Sequence, residues 1–210
     1  TIQATLPPGL RVDTFEGKAY LAVVQFRMQK LRLRWGPTFP GISDFYELNL
    51  RTYVKDEKGR NGVYFYSLEA DSWLSVTIAN LFFHLPYRHA RMTGKREGQS
   101  PHYAARSQRD PSKQWMRFSF TPGDPLGKAP DGSLEAFLVE RYRLFAYQKR
   151  KGRLFTGKIA HDPYPLQQAT VHEHSQHLYT LNGFAEPNRA PDHVLYSVGV
   201  DVRLFALEPL

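Results

Sequence analysis

The sequence predicts an α+β fold of mostly antiparallel β-structure, with a sheet large enough to curl into a barrel-like form and a few short helices. Three observations carry that expectation. Segments rich in β-branched and aromatic residues recur from Lys18–Arg27 to His193–Leu207. Turn-forming glycines, prolines and charged clusters separate them. Helical spacing shows at two places, and both are short.

The elements follow in order. Lys18–Arg27 leaves a Glu16-Gly17 turn as a strand, and Gln29–Trp35 alternates Leu31 and Leu33 with Lys30, Arg32 and Arg34. Gly36, Pro37, Pro40 and Gly41 mark a loop. Glu47–Val54 is the next strand. Asp56–Gly62 turns the chain back, with Asn61-Gly62 as the turn dipeptide, and Val63–Glu69 returns. Asp71 or Ser72 can cap a helix through Trp73, Leu74, Ile78, Leu81 and Phe82, which Pro86 ends because its nitrogen cannot donate. Strands are expected at Tyr87–Lys95, His102–Gln108 and Gln114–Thr121, then a loop at Pro122–Gly132 and a short helix at Ser133–Arg141. Arg143–Lys149 and Arg153–His161 form a hairpin whose turn is the basic run Lys149–Arg153, and Leu166–His172 and His193–Leu207 complete the set. No repeat and no Gly/Ser-rich linker divides the chain, so residues 1–210 are expected to form one domain.

Composition excludes several classes. The chain holds no cysteine, so disulfides and thiolate chemistry are out. No apolar run approaches the roughly 20 residues that span a bilayer, and the first residues lack the pattern of a signal peptide. A cytoplasmic location is expected. The net charge of +8 invites a nucleic-acid reading, but the basic residues are spread along the chain without a recognised binding motif. Nucleic acid is therefore not expected as a partner. The sequence also lacks a phosphate loop, a Gly-x-Gly-x-x-Gly turn, a Gly-x-Ser-x-Gly elbow and a His-Glu-x-x-His helix.

The chemistry concentrates in two strands. In Glu47–Val54, alternation puts Glu47, Asn49, Arg51 and Tyr53 on one face and Leu48, Leu50, Thr52 and Val54 on the other. The polar face reads equally as a solvent face or as a cavity wall. Inside a cavity Arg51 must be paired, and Glu47 lies about 13 Å away along the strand, too far for contact. Arg51 then needs a partner from the fold or an anionic ligand such as a carboxylate, which guanidinium binds in a bidentate manner. In the second strand Tyr87, His89 and Arg91 share a face, and His89 suits proton transfer near neutral pH. The run His172-Glu-His-Ser-Gln-His177 invites a metal, but no regular conformation presents its three histidines together, so no metal site is assigned.

Several stretches stand in order along the chain: Asp44-Phe-Tyr-Glu-Leu-Asn-Leu-Arg-Thr-Tyr-Val54, Gly62–Ala70, Leu85–Met92, Phe137–Tyr142, Gly152–Gly157 and Tyr164–Gln167. Together they resemble the uncharacterised bacterial YqjF-like family, a domain of unknown function. That family is similar in fold to the acetoacetate decarboxylase superfamily, and the resemblance implies a β-rich, barrel-like domain with a ligand cavity. Acetoacetate decarboxylases use a lysine that forms a Schiff base. The stretch that matches its surroundings, Pro86–Arg91, contains His89 and Arg91 and no lysine, and the nearest one is Lys95. The resemblance thus implies the cavity without the reaction.

The expected function is binding or conversion of a small organic acid or carbonyl compound, without a Schiff-base lysine and without an assigned cofactor. Arg51 and Arg91 would clamp an anion, and His89 would serve as the catalytic acid/base or hydrogen-bonding group. Glu47, Asn49, Tyr53 and Glu69 would complete the ligand-binding set. The alternative is a non-catalytic module that binds nucleic acid or protein through its basic surface. Whether the protein is an enzyme and whether it forms a homo-oligomer stay open.

Overall fold

The structure is a computed structural model that describes residues 1–29, 44–73, 76–77 and 84–210. Its strands are β1 (Leu10–Val12), β2 (Leu21–Met28), β3 (Phe45–Asp56), β4 (Asn61–Ala70), β5 (Tyr87–Glu97), β6 (Ser100–Ser107) and β7 (Met116–Gly127). After helix α1 (Leu134–Val139) come β8 (Arg143–Gln148), β9 (Arg153–His161) and β10 (Leu166–His174). Helix α2 (His177–Thr180) and three short strands, β11 (Leu195–Ser197), β12 (Val202–Leu204) and β13 (Glu208–Pro209), finish the chain. Among the described residues no helix is long and apolar enough to cross a membrane.

The strands join one mixed sheet in the order β11-β10-β7-β6-β5-β4-β8-β9-β12, with β3 on β4 carrying β1 and β2. Strand β4 is the junction. One edge pairs along its length with β3, and the other is shared in parallel by β8 at Val63–Tyr64 and by β5 at Leu68–Ala70. The expected β-rich architecture with few short helices holds. The sheet stays open, however: β11 pairs with β10 at one end of the path, β12 pairs with β9 at the other, and residues 198–201 join the two.

Local differences have local causes. Asn61 and Gly62 were expected in the turn, yet they open β4. The turn is set earlier, by the Asp56 carboxylate accepting from the Lys58 and Arg60 amides and by Gly59 at φ +73°. Gly62 serves close packing instead, since a Cβ there would sit 2.6 Å from the Arg143 carbonyl oxygen of β8. The loop expected at Pro122–Gly132 begins late because β7 continues to Gly127 through register shifts against β10. The single C-terminal strand is broken in two around Gly199, whose φ of +111° no strand accommodates. Trp73, Val76 and Thr77 are helical. The rest of that helix, and all of the expected strand Gln29–Trp35 except Gln29, lie outside the described residues.

Both faces of β3 are covered. Leu48 and Leu50 pack with Met116, Phe118 and Leu178 on one side, and Tyr53 packs with Val63, Leu68 and Leu144 on the other. A face carrying a carboxylate, an amide and a guanidinium is thus held inside the molecule, where each must find a partner.

Candidate functional site

The β3 alternation and the register of its neighbours build the site. Glu47 lies opposite Ala70 and Asn49 opposite Leu68 on β4, and Leu68 lies opposite Tyr87 on β5. On the other side Phe26, Val24 and Ala22 of β2 pair with Glu47, Asn49 and Arg51. The polar strip therefore runs between apolar neighbours. It forms part of the wall of a cavity of about 3170 Å³, which Tyr87, Arg141 and Tyr164 also line. That volume is several times what a small ligand needs.

Glu47 is 3% exposed. The Tyr87 hydroxyl donates to its Oε2 at 2.8 Å and Asn49 Nδ2 donates to its Oε1 at 3.0 Å. Burial pushes its pKa up from 4.5 to about 7, against the Asn49 and Tyr87 hydrogen bonds and the Arg51 charge, which pull it down. Near neutral pH this carboxyl is close to half-protonated, the condition for a group that gives and takes protons.

Arg51 Nη2 donates to the Leu138 carbonyl at 3.1 Å, at the C-terminal end of α1, where a helix leaves its last carbonyls free. Among the described residues its Nε is buried without an acceptor, and Asn49 Oδ1 is buried without a donor. Tyr53 is fixed by rings and cations: Phe137 at 5.0 Å, the Arg141 guanidinium at 5.2 Å and the Arg51 guanidinium at 5.8 Å. Arg141 is itself buried, donating to Asp13 at 2.8 Å and to the Phe137 carbonyl at 2.6 Å. The Asp13–Arg141 pair holds the α1 end against β3.

The other candidates fall elsewhere. Glu69 pairs with Leu48 across β3 and β4, so it lies on the opposite face, where Arg88 Nη1 is 3.6 Å from its carboxylate. His89 lies opposite Ala70, but it is not among the cavity-lining residues, and its Nδ1 is buried without a partner among the described residues. Arg91 is exposed, because beyond His89 strand β5 leaves β4 and pairs with β6. The three C-terminal histidines separate: His172 contacts Thr121, His174 faces the Arg189 carbonyl and His177 contacts Asp110. Tyr87 and Arg141 were missed as site residues. Tyr87 shared the His89 face in the sequence, whereas nothing local pointed from Arg141 to Asp13, 128 positions away.

The model of DUF2071, an uncharacterized conserved protein family, matches residues 1–201. The chain belongs to that family. It is 35% identical over 190 residues to the uncharacterized protein YqjF of Bacillus subtilis strain 168, covering 90% of this chain and 77% of that one. Among solved structures it superposes on acetoacetate decarboxylase from Legionella pneumophila subsp. pneumophila strain Philadelphia 1 with a TM-score of 0.63 at 14% identity, covering all of this chain and 79% of the other. A second acetoacetate decarboxylase structure gives a TM-score of 0.66 at 12% identity, covering all of this chain and 81% of that one. An acetoacetate decarboxylase-like enzyme from Sphingomonas wittichii RW1 gives 0.60 at 16%, with coverage of 100% and 85%. This chain thus has an acetoacetate decarboxylase-like fold.

Proposed function

We propose that the chain binds, and through Glu47 converts, a small organic acid or carbonyl compound seated on the Glu47–Asn49–Arg51 wall, without forming an imine. One observation carries the reading. Asn49 Oδ1 and Arg51 Nε, an acceptor and a donor, are buried without a partner among the described residues, further along the strand face that carries a carboxyl with a pKa of about 7. Leaving such a group unpaired costs roughly 1–3 kcal/mol, which a polar ligand would recover.

The roles follow from the chemistry of the groups. Arg51 offers its free N–H to a carboxylate or carbonyl oxygen. Asn49 takes a donor from the ligand while its amide nitrogen and Tyr87 hold Glu47 in place. Glu47 as carboxylate accepts a proton from a carbon beside a carbonyl, and as acid returns one. Two of the solved neighbours are acetoacetate decarboxylases, which supports a keto acid as the substrate class. Among the described cavity-lining residues the lysine is Lys18, which is exposed at the rim, so no described lysine has the buried setting an imine-forming amine needs.

The test is calorimetric titration of short keto acids into wild type and Arg51→Ala. At least one acid should bind and lose about tenfold or more in affinity, roughly 1.4 kcal/mol, with the fold unchanged by circular dichroism. Equal affinity in the two proteins would remove the assignment.

A further inference from the structure

On the face of β4 turned away from Glu47, a second concavity of about 740 Å³ is lined by Arg88, Arg109 and Lys149 together with Tyr64, Tyr66 and Tyr147. Its volume falls within the roughly 300–1,000 Å³ of small-molecule sites, and rings and charged groups share its wall. Three cations meet here with one carboxylate behind them. Glu69 is fully buried, and the register sets it directly beside Arg88, whose Nη1 stands 3.6 Å away. The buried acid holds Arg88 from behind, leaving the rest of its donor fork for the concavity.

Arg109 arrives from the turn after β6. Ser107 lies opposite Ala90, one residue past His89, and accepts from the Arg109 amide at 3.4 Å, which sets Arg109 beside Arg88. The two guanidinium groups act on Glu69 together and repel each other. Among the described residues Glu69 is the one carboxylate they share. A like-charged pair with a single shared counter-ion favours a second anion. Arg109 is exposed, so a ligand reaches it without disturbing the core.

We infer that Arg88 and Arg109 form a second ligand site, separate from the Glu47 wall, for a small oxyanion carried on an aromatic or apolar body. The oxyanion sits against the guanidinium pair, and the ring body packs among Tyr64, Tyr66 and Tyr147. Glu69 is a positioning residue that aims Arg88. Carboxylate and phosphate both satisfy this chemistry, and they are told apart by probe.

Calorimetric titration with benzoate, phenyl phosphate and uncharged phenol tests the inference. One or both anions should bind, and phenol should not. Arg109→Met, at an exposed position, should weaken the bound anion about tenfold or more, and Arg88→Met should do the same, whereas Arg51→Ala should leave the affinity unchanged. The tighter of the two anions identifies the head group. No binding of either anion at millimolar concentration, phenol binding as well as the anions, or unchanged affinity in Arg109→Met overturns the inference. Because Arg51 reports on the other face, failure here is distinct from failure of the Glu47 wall.

Discussion

Replacing Glu47 by glutamine should make the protein more stable at alkaline pH while removing its proposed chemistry. The carboxyl is 3% exposed and its pKa is raised from 4.5 to about 7 by burial. The folded state therefore holds the proton more tightly than the unfolded chain does. Stability from this group is fully present below about pH 4.5, declines as pH rises, and is lost above about pH 7. The gap between 4.5 and about 7, at about 1.4 kcal/mol per pKa unit, makes the ionised group cost about 3 kcal/mol. Glutamine never ionises. Its oxygen can accept from Tyr87, and its amide nitrogen can donate to Asn49 Oδ1 once the Asn49 amide turns over. Urea unfolding of wild type and Glu47→Gln at several pH values reads the difference directly, since every other titrating group cancels. The variant should gain up to about 3 kcal/mol near pH 8 and little near pH 4.5. A difference that does not change with pH, or a less stable variant near pH 8, would refute the reasoning.

Four further outcomes follow. Asp13→Asn leaves Arg141 buried beside Tyr53 and Phe137 without its counter-ion, and thermal unfolding should show a loss of about 3 kcal/mol, typical of half a buried ion pair. Gly62→Ala drives a Cβ to 2.6 Å from the Arg143 carbonyl, a backbone atom that cannot yield, so denaturant melts should fall by about 1–3 kcal/mol from overpacking. Gly59→Ala at φ +73° meets open space and should cost only the left-handed backbone term, about 1 kcal/mol, by the same assay. Borohydride reduction in the presence of a keto acid should leave every lysine unlabelled by mass spectrometry; a trapped adduct would mean that an imine forms after all.

The sequence showed the polar strip itself, because period-two alternation in β3 is local and survives any tertiary arrangement. It could not show which way Glu69 points. The β3–β4 register shifts after Leu50, where Ser67 and then Phe65 take successive partners, and that bulge at Tyr66 is decided by packing between strands. His89 and Arg91 share a face in the pattern, yet β5 changes partner from β4 to β6 between them and carries Arg91 to the surface. Gly62 reads as a turn residue because Asn-Gly usually is one, while the close approach of β8 that needs it lies 81 residues downstream, at Arg143. Tyr87 was legible on the correct face, but only the register across β4 reveals that its hydroxyl reaches Glu47. The opening between β11 and β12, where a barrel would close, is a matter of edge pairing that no local pattern encodes.

The most direct measurement of the central claim is a pH titration of the Glu47 side-chain carboxyl by nuclear magnetic resonance, using isotope-labelled glutamate and the Glu47→Gln protein to assign the signal. The account predicts a midpoint of about 7 in the free protein, and a displaced resonance when a bound keto acid occupies the wall beside Arg51. A midpoint near the ordinary 4.5, or a keto acid that binds while the Glu47 resonance stays in place, would contradict it.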